Sequence, residues 1–225
     1  MTAPWPGTPP APARGKWPEA GAPVAPPLTY LALGDSYTIG ESVPEAGRWP
    51  VQLAAALRER GIGLAEPRII ATTGWTTDEL SAAMDAAGPL GTWDVVSLLI
   101  GVNNQYRGRD LANYAEEFAA LLDRAITLAH GRPDRVLVMS IPDWGTTPFG
   151  QASGRDTARI AAELDAFNAT ARAACEARGV AFVDITPASR APGAGVADDG
   201  LHPDAAQYAT WAALALPVAA VLLGD

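Results

Sequence analysis

At 225 residues the chain is the size of a single domain with room for a full core. Its formal net charge of −9, with Lys16 the only lysine, argues against nucleic acid or an anionic membrane surface as a partner. Cys175 is the only cysteine, so no intramolecular disulfide can form, and its Ala-Ala-Cys-Glu-Ala setting predicts a small buried hydrophobe on a helix.

Residues 1–27 are dominated by Pro, Ala and Gly and have little to bury. They predict an extended, flexible N-terminal tail outside the fold, with Trp5 and Trp17 as the exceptions in its composition. The first residues lack the basic start and apolar centre of a secretory signal, so a cytoplasmic location is expected. The folded domain is expected over residues 28–225. Its first apolar run, residues 28–33, stops abruptly at Gly34-Asp35-Ser36, which reads as a buried strand ending in a turn. A polar stretch, residues 41–47, leads to a helix over 48–60, with Pro50 in its first turn and Gly61-Ile62-Gly63 at its end.

The second strand is expected over 67–71 and runs into Thr72-Thr73-Gly74-Trp75. The capping box Thr76-x-x-Glu79 then opens a helix over 77–86. The strongest apolar run, residues 95–100 within a strand over 94–100, ends in Gly101-Val102-Asn103-Asn104, the same strand–glycine–polar order as at Ser36. Asp110 is the expected N-cap of a third helix, whose Leu111, Tyr114, Phe118, Leu121, Leu122 and Ala125 form one apolar face. His130, followed by Gly131 and Pro133, reads as a residue at that helix's C-terminus.

A fourth strand over 135–141 precedes a long loop, 142–150, that carries Trp144 and Phe149; these two are candidate substrate-binding residues or packing under the loop. A helix over 157–178, a strand over 180–185, a loop over 186–200 and a helix over 203–223 complete the chain. The last helix is expected to set Tyr208, Trp211, Leu214, Val218 and Leu222 on one side. No stretch is expected to reach membrane-spanning length, residues 211–223 being apolar but short. Five strands alternating with helices predict an α/β fold, a three-layer α/β/α sandwich around a parallel sheet.

Ser36 falls at the carboxyl end of a strand, the edge where open α/β sheets bind ligands. A serine hydroxyl needs an adjacent base to act as a nucleophile. Of two histidines, His202 has Asp199 three residues upstream, close enough to orient the ring as a triad requires. Acyl transfer also needs donors for a developing oxyanion. Gly74 can offer a backbone N–H where a side chain would obstruct, and the block Gly101-Val102-Asn103-Asn104 brings short polar side chains to the same edge.

These blocks resemble the SGNH hydrolases, the GDSL-type esterases and lipases, over about residues 28–222. The resemblance matches Ser36 in Gly-Asp-Ser to the nucleophile, whose N–H also faces the oxyanion. It matches Gly74 and Asn103 to the other oxyanion donors, and Asp199 and His202 to the aspartate–x–x–histidine block. The family usually carries Gly-x-Asn-Asp, and here Asn104 replaces the aspartate. That aspartate is not the family's triad acid, so the exchange is expected to spare the chemistry while removing a charge and altering local hydrogen bonding. The chain does not fit the α/β-hydrolase elbow Gly-x-Ser-x-Gly, because Thr38 stands where the second glycine belongs.

The resemblance implies a flavodoxin-like strand order 2-1-3-4-5. Strands one and three are then neighbours, with Ser36 and Asn103 about one strand spacing, ~5 Å, apart. It also implies a serine hydrolase that cleaves carboxylic esters through an acyl-enzyme, with no metal or cofactor and a small-molecule ester as partner. Thioesterase, lysophospholipase and carbohydrate O-deacetylase share the apparatus and stand as alternatives. A non-catalytic binding module is the rival from another class.

Overall fold

The computed structural model describes Met1 and residues 26–224. The tail expected over residues 1–27, with Trp5 and Trp17, therefore lies almost wholly outside the described residues. The sheet has five parallel strands: β1 (Tyr30–Gly34), β2 (Arg68–Ala71), β3 (Val95–Leu99), β4 (Val136–Met139) and β5 (Ala181–Val183), in the order β2-β1-β3-β4-β5. In chain order the helices are α1 (Ser36–Ile39), α2 (Trp49–Glu59), α3 (Thr77–Ala86), α4 (Val102–Tyr106), α5 (Leu111–Leu128), α6 (Pro148–Ala152), α7 (Thr157–Glu176), α8 (Thr186–Ser189) and α9 (Ala205–Leu223). α2 and α9 pack together on one face of the sheet, and α3, α5 and α7 cover the other.

The central strands are buried on both sides, which is why β1 and β3 read as nearly continuous apolar runs rather than alternating ones, the one polar side chain of β3, Ser97, being bonded to the Tyr30 hydroxyl at 2.9 Å. The register aligns Gly34 with Ala71 on one side and with Leu99 on the other. The segments leaving β1, β2 and β3 therefore emerge together at one edge. The expected stripe of α5 is buried from Tyr114 to Ala125, with Leu111 exposed at its start. The capping box holds: Glu79 Oε2 accepts from the Thr76 N–H at 2.9 Å. Cys175 is fully buried, and burial pushes its thiol up to about 12.

Two expectations change at α9. The helix begins at Ala205, with the Asp204 carboxylate capping the Gln207 N–H at 2.7 Å, and has 19 residues. Its mean hydropathy of 1.6 makes it the one helix among the described residues long and apolar enough to cross a membrane, contrary to the sequence expectation. In the fold its inner face packs on α2 and the sheet. That face is Tyr208, Trp211, Ala212, Ala215, Ala219 and Leu223; Leu214, expected inward, is exposed. A helix apolar nearly all round gives no periodic cue to its buried face, and the small alanines are what let it approach α2 closely.

Gly34 marks where β1 must stay bare. A Cβ there would sit 2.2 Å from Thr38 Oγ1 and 2.5 Å from the Leu99 carbonyl oxygen of the neighbouring strand. The carbonyl belongs to the ladder and cannot retreat. Gly34→Ala is expected to cost ~3 kcal/mol or more. In thermal unfolding it should lower the Tm by about 6 °C or more, or leave the protein insoluble; an unchanged Tm would contradict this packing.

Candidate active site

β1 delivers the chain into a tight turn at the sheet edge. Asp35 is the N-cap of α1, its Oδ1 accepting from the Tyr37 N–H at 3.0 Å. Ser36 is the first residue of that four-residue helix and is only 4% exposed. Asp35 is fully buried, and its Oδ2 has no hydrogen-bond partner among the described residues. Burial pushes its carboxyl up to about 7, against the opposing pull of the backbone N–H groups.

Asp199 and His202 arrive on a second structure, a short hairpin closed by the antiparallel bridge between Val196 and Pro203 and by the Ala197 N–H to His202 carbonyl bond of 2.7 Å. At its tip one Asp199 oxygen accepts from the N–H groups of Leu201 (2.8 Å) and His202 (2.9 Å). The other lies 2.6 Å from His202 Nδ1 and accepts from the Ser42 hydroxyl at 2.7 Å. Partial burial works to raise this carboxyl, but the bonds from Ser42, His202 and the two backbone N–H groups outweigh it and hold the group well below the usual carboxylate range. An ionised carboxylate can only accept, so Nδ1 carries the proton and Nε2 is left as the basic nitrogen. The ring of Tyr37 meets the His202 ring edge-on, centroids 5.6 Å apart.

The third and fourth segments come from β2 and β3. Gly74 adopts a φ of 89°, a region that favours glycine, and its carbonyl accepts from Arg107 Nη2 at 2.6 Å. Asn103 lies on α4 and donates one amide hydrogen to the Trp75 carbonyl at 2.9 Å, which fixes the amide; among the described residues its second hydrogen has no acceptor. Ser36, Gly74, Asn103 and His202 line one cavity of about 190 Å³. Tyr106, Trp144 and Phe149 wall one side of it, with ring centroids 5.3 Å (Tyr106–Trp144) and 6.1 Å (Trp144–Phe149) apart. Among the described residues no group of three His, Cys, Asp or Glu side chains could hold a metal ion.

Residues 32–210 match the family described as GDSL-like Lipase/Acylhydrolase. The chain belongs to that family. No curated protein sequence matches it. Among solved structures, TesA shares 20% identity and a TM-score of 0.66, over 87% of this chain and 99% of that one. A lipase/acylhydrolase from Enterococcus faecalis shares 20% identity with a TM-score of 0.60, over 84% and 94%. A mutant of Axe2, an acetyl-xylooligosaccharide esterase from Geobacillus Stearmophilus, shares 18% identity with a TM-score of 0.63, over 89% and 95%. At these identities the likeness establishes the shared α/β/α fold.

This GDSL hydrolase departs from the family pattern at Asn104, and the fold gives the departure a local reason. Asn104 is buried; its Oδ1 accepts from the Thr77 N–H at 3.1 Å and its Nδ2 donates to the Thr77 hydroxyl at 2.6 Å. That hydroxyl donates in turn to Glu117. An aspartate at 104 would set an acceptor against a hydroxyl whose proton is already committed, beside a second carboxylate. His130 sits in the connection entering β4, at the opposite sheet edge, with a φ of 58°. Trp144 lines the cavity and is also buried, its indole N–H donating to Gln105 Oε1 at 2.8 Å. Sequence reasoning missed Ser42, Tyr37 and Tyr106. Tyr106 follows Asn103 by one helical turn, a signal available only once α4 is known to be a helix.

The buried Asp35 gives a stability signature with a definite sign. Folded, it keeps its proton to about pH 7; unfolded, it releases it near the ordinary carboxylate value. Between those limits the folded state binds more protons, so stability falls as pH rises through that window. Asp35→Asn keeps the Oδ1 acceptor and does not titrate. The wild-type Tm is expected to drop by several degrees between about pH 5 and about pH 8, and that of the Asn variant to drop clearly less. Equal drops would contradict a proton held on Asp35.

Proposed function

We propose that this hydrolase cleaves carboxylic esters through an acyl-enzyme formed on Ser36. The reading rests on one observation: His202, bonded to Asp199 at 2.6 Å, lines the same cavity as Ser36, Gly74 and Asn103. In this reading His202 Nε2 takes the Ser36 hydroxyl proton as Oγ attacks the carbonyl carbon, and Asp199 supports the imidazolium that forms. The oxyanion is received by the N–H groups of Ser36 and Gly74 and by the second amide hydrogen of Asn103. The Ser36 N–H suits this role because the first N–H groups of a helix have no intrahelical acceptor. His202 then returns its proton to the departing alkoxide. A water, deprotonated by the same nitrogen, attacks the acyl-enzyme; the acyl–Oγ bond breaks, Oγ takes that proton back from His202, and the acid is released.

The cavity limits what fits. About 190 Å³ is below the ~300–1,000 Å³ of sites for drug-sized ligands. Its aromatic wall favours an apolar substituent, so small esters suit it better than long-chain ones. Ser36→Ala is expected to remove turnover of p-nitrophenyl acetate, and Asn103→Ala to lower kcat by ~10²–10³ with KM little changed. Full activity in the Ser36 variant would refute the mechanism. Within a series of p-nitrophenyl esters, kcat/KM is expected to fall as the acyl chain lengthens; a maximum at long chains would contradict the size argument.

A further inference from the structure

Beyond Tyr106 the cavity wall gives onto an open groove of about 440 Å³ that also holds Arg107, Arg155, Arg159, Asp156 and Glu163. Most of this charge is committed. Arg107 bonds Glu79 at 3.0 Å and the Gly74 carbonyl. Arg159 and Gln105 both bond Glu163. The Asp156 carboxylate caps α7 through the N–H groups of Ala158 and Arg159.

Arg155 is different. Among the described residues no carboxylate lies within ion-pair distance of it. Its Nη1 donates to the Tyr106 carbonyl at 2.9 Å, and its guanidinium carbon lies 4.3 Å from the centre of the Tyr106 ring and 5.6 Å from that of Trp144. Both rings belong to the cavity wall. An exposed arginine is thus held over the rim, and among the described residues its remaining side-chain N–H groups have no acceptor. In a chain of net charge −9, this cation feels the Glu163 carboxylate across the groove without pairing with it, and it stands against the wall of the proposed acyl-transfer cavity.

We infer that Arg155 receives an anionic oxygen group, carboxylate or phosphate, on the ester substituent that runs along Tyr106. This rests on the ester-hydrolase reading above and narrows its substrate class. A planar guanidinium with free N–H groups matches the paired oxygens of either anion. The aromatic wall suits the short apolar stretch between the scissile carbonyl and that charge.

The test compares two matched pairs of esters. The first is glycerol monobutyrate against its 3-phosphate, which puts the anion on the alcohol. The second is phenyl butyrate against monophenyl succinate, which puts a carboxylate on a four-carbon acyl group, each rate being corrected for that ester's hydrolysis without enzyme. In at least one pair the anionic ester is expected to have the higher kcat/KM, by about tenfold, the scale of one charged hydrogen bond. The pair that shows it identifies which side of the ester carries the charge. Arg155→Gln should collapse that ratio and Arg155→Lys should keep part of it. Raising salt on the wild-type enzyme should erode it, because the site is exposed.

A preference for the neutral ester in both pairs would overturn the inference. So would an Arg155→Gln variant with normal Tm that slows both members of a pair equally, which would make Arg155 only a prop for Tyr106. Failure of the hydrolase reading itself would look different: wild-type enzyme would not turn over p-nitrophenyl acetate.

Discussion

The site depends on how one carboxylate is held. Asp199 collects the imidazole N–H of His202, the hydroxyl of Ser42 and the N–H groups of Leu201 and His202. The two backbone bonds set the hairpin tip, the ring bond sets the tautomer, and the Ser42 bond ties the tip to the loop that follows Ser36. Ser42 has a φ of 63°, a conformation unfavourable for any residue but glycine, asparagine or aspartate. A strained serine is what places its hydroxyl there. Charge-assisted bonds of this kind are roughly twice as strong as neutral ones, so the arrangement also keeps the carboxylate ionised.

The rest of the sheet edge is braced in a similar way, by polar ties beneath the loops. Asn104 joins α4 to the start of α3, and Thr77 passes the connection to Glu117 on α5. Trp144 bonds Gln105 on α4, and Gln105 bonds Glu163 on α7. Asn103 and the aromatic wall therefore stand on short elements whose own hydrogen-bond partners lie in long helices. This is how a site built from loop segments keeps a defined geometry.

The parts of this arrangement legible in the sequence are those with local signals. β1 and β3 announced themselves as apolar runs ending in glycine, and Asp199 and His202 lie three residues apart on one turn. The strand order needed the family resemblance, because alternation of strands and helices leaves it open. The short helices α1, α4, α6 and α8 were not legible: four or five residues hold scarcely more than one turn, too few for a period to show. Losing α4 meant losing Tyr106. Ser42 and Asp199 are 157 positions apart, and nothing in a polar loop marks a serine as the partner of a distant carboxylate. Leu214 was misplaced because α9 is apolar on every side.

The central proposal is that His202 activates the hydroxyl of Ser36, with which it shares a cavity. A fluorophosphonate reacts covalently with such a serine and is not turned over, so peptide mass spectrometry can locate it. The account predicts one label per chain, on the peptide carrying Ser36, with ester hydrolysis lost in proportion. Folded protein that stays unlabelled at Ser36 while hydrolysing p-nitrophenyl acetate would contradict it.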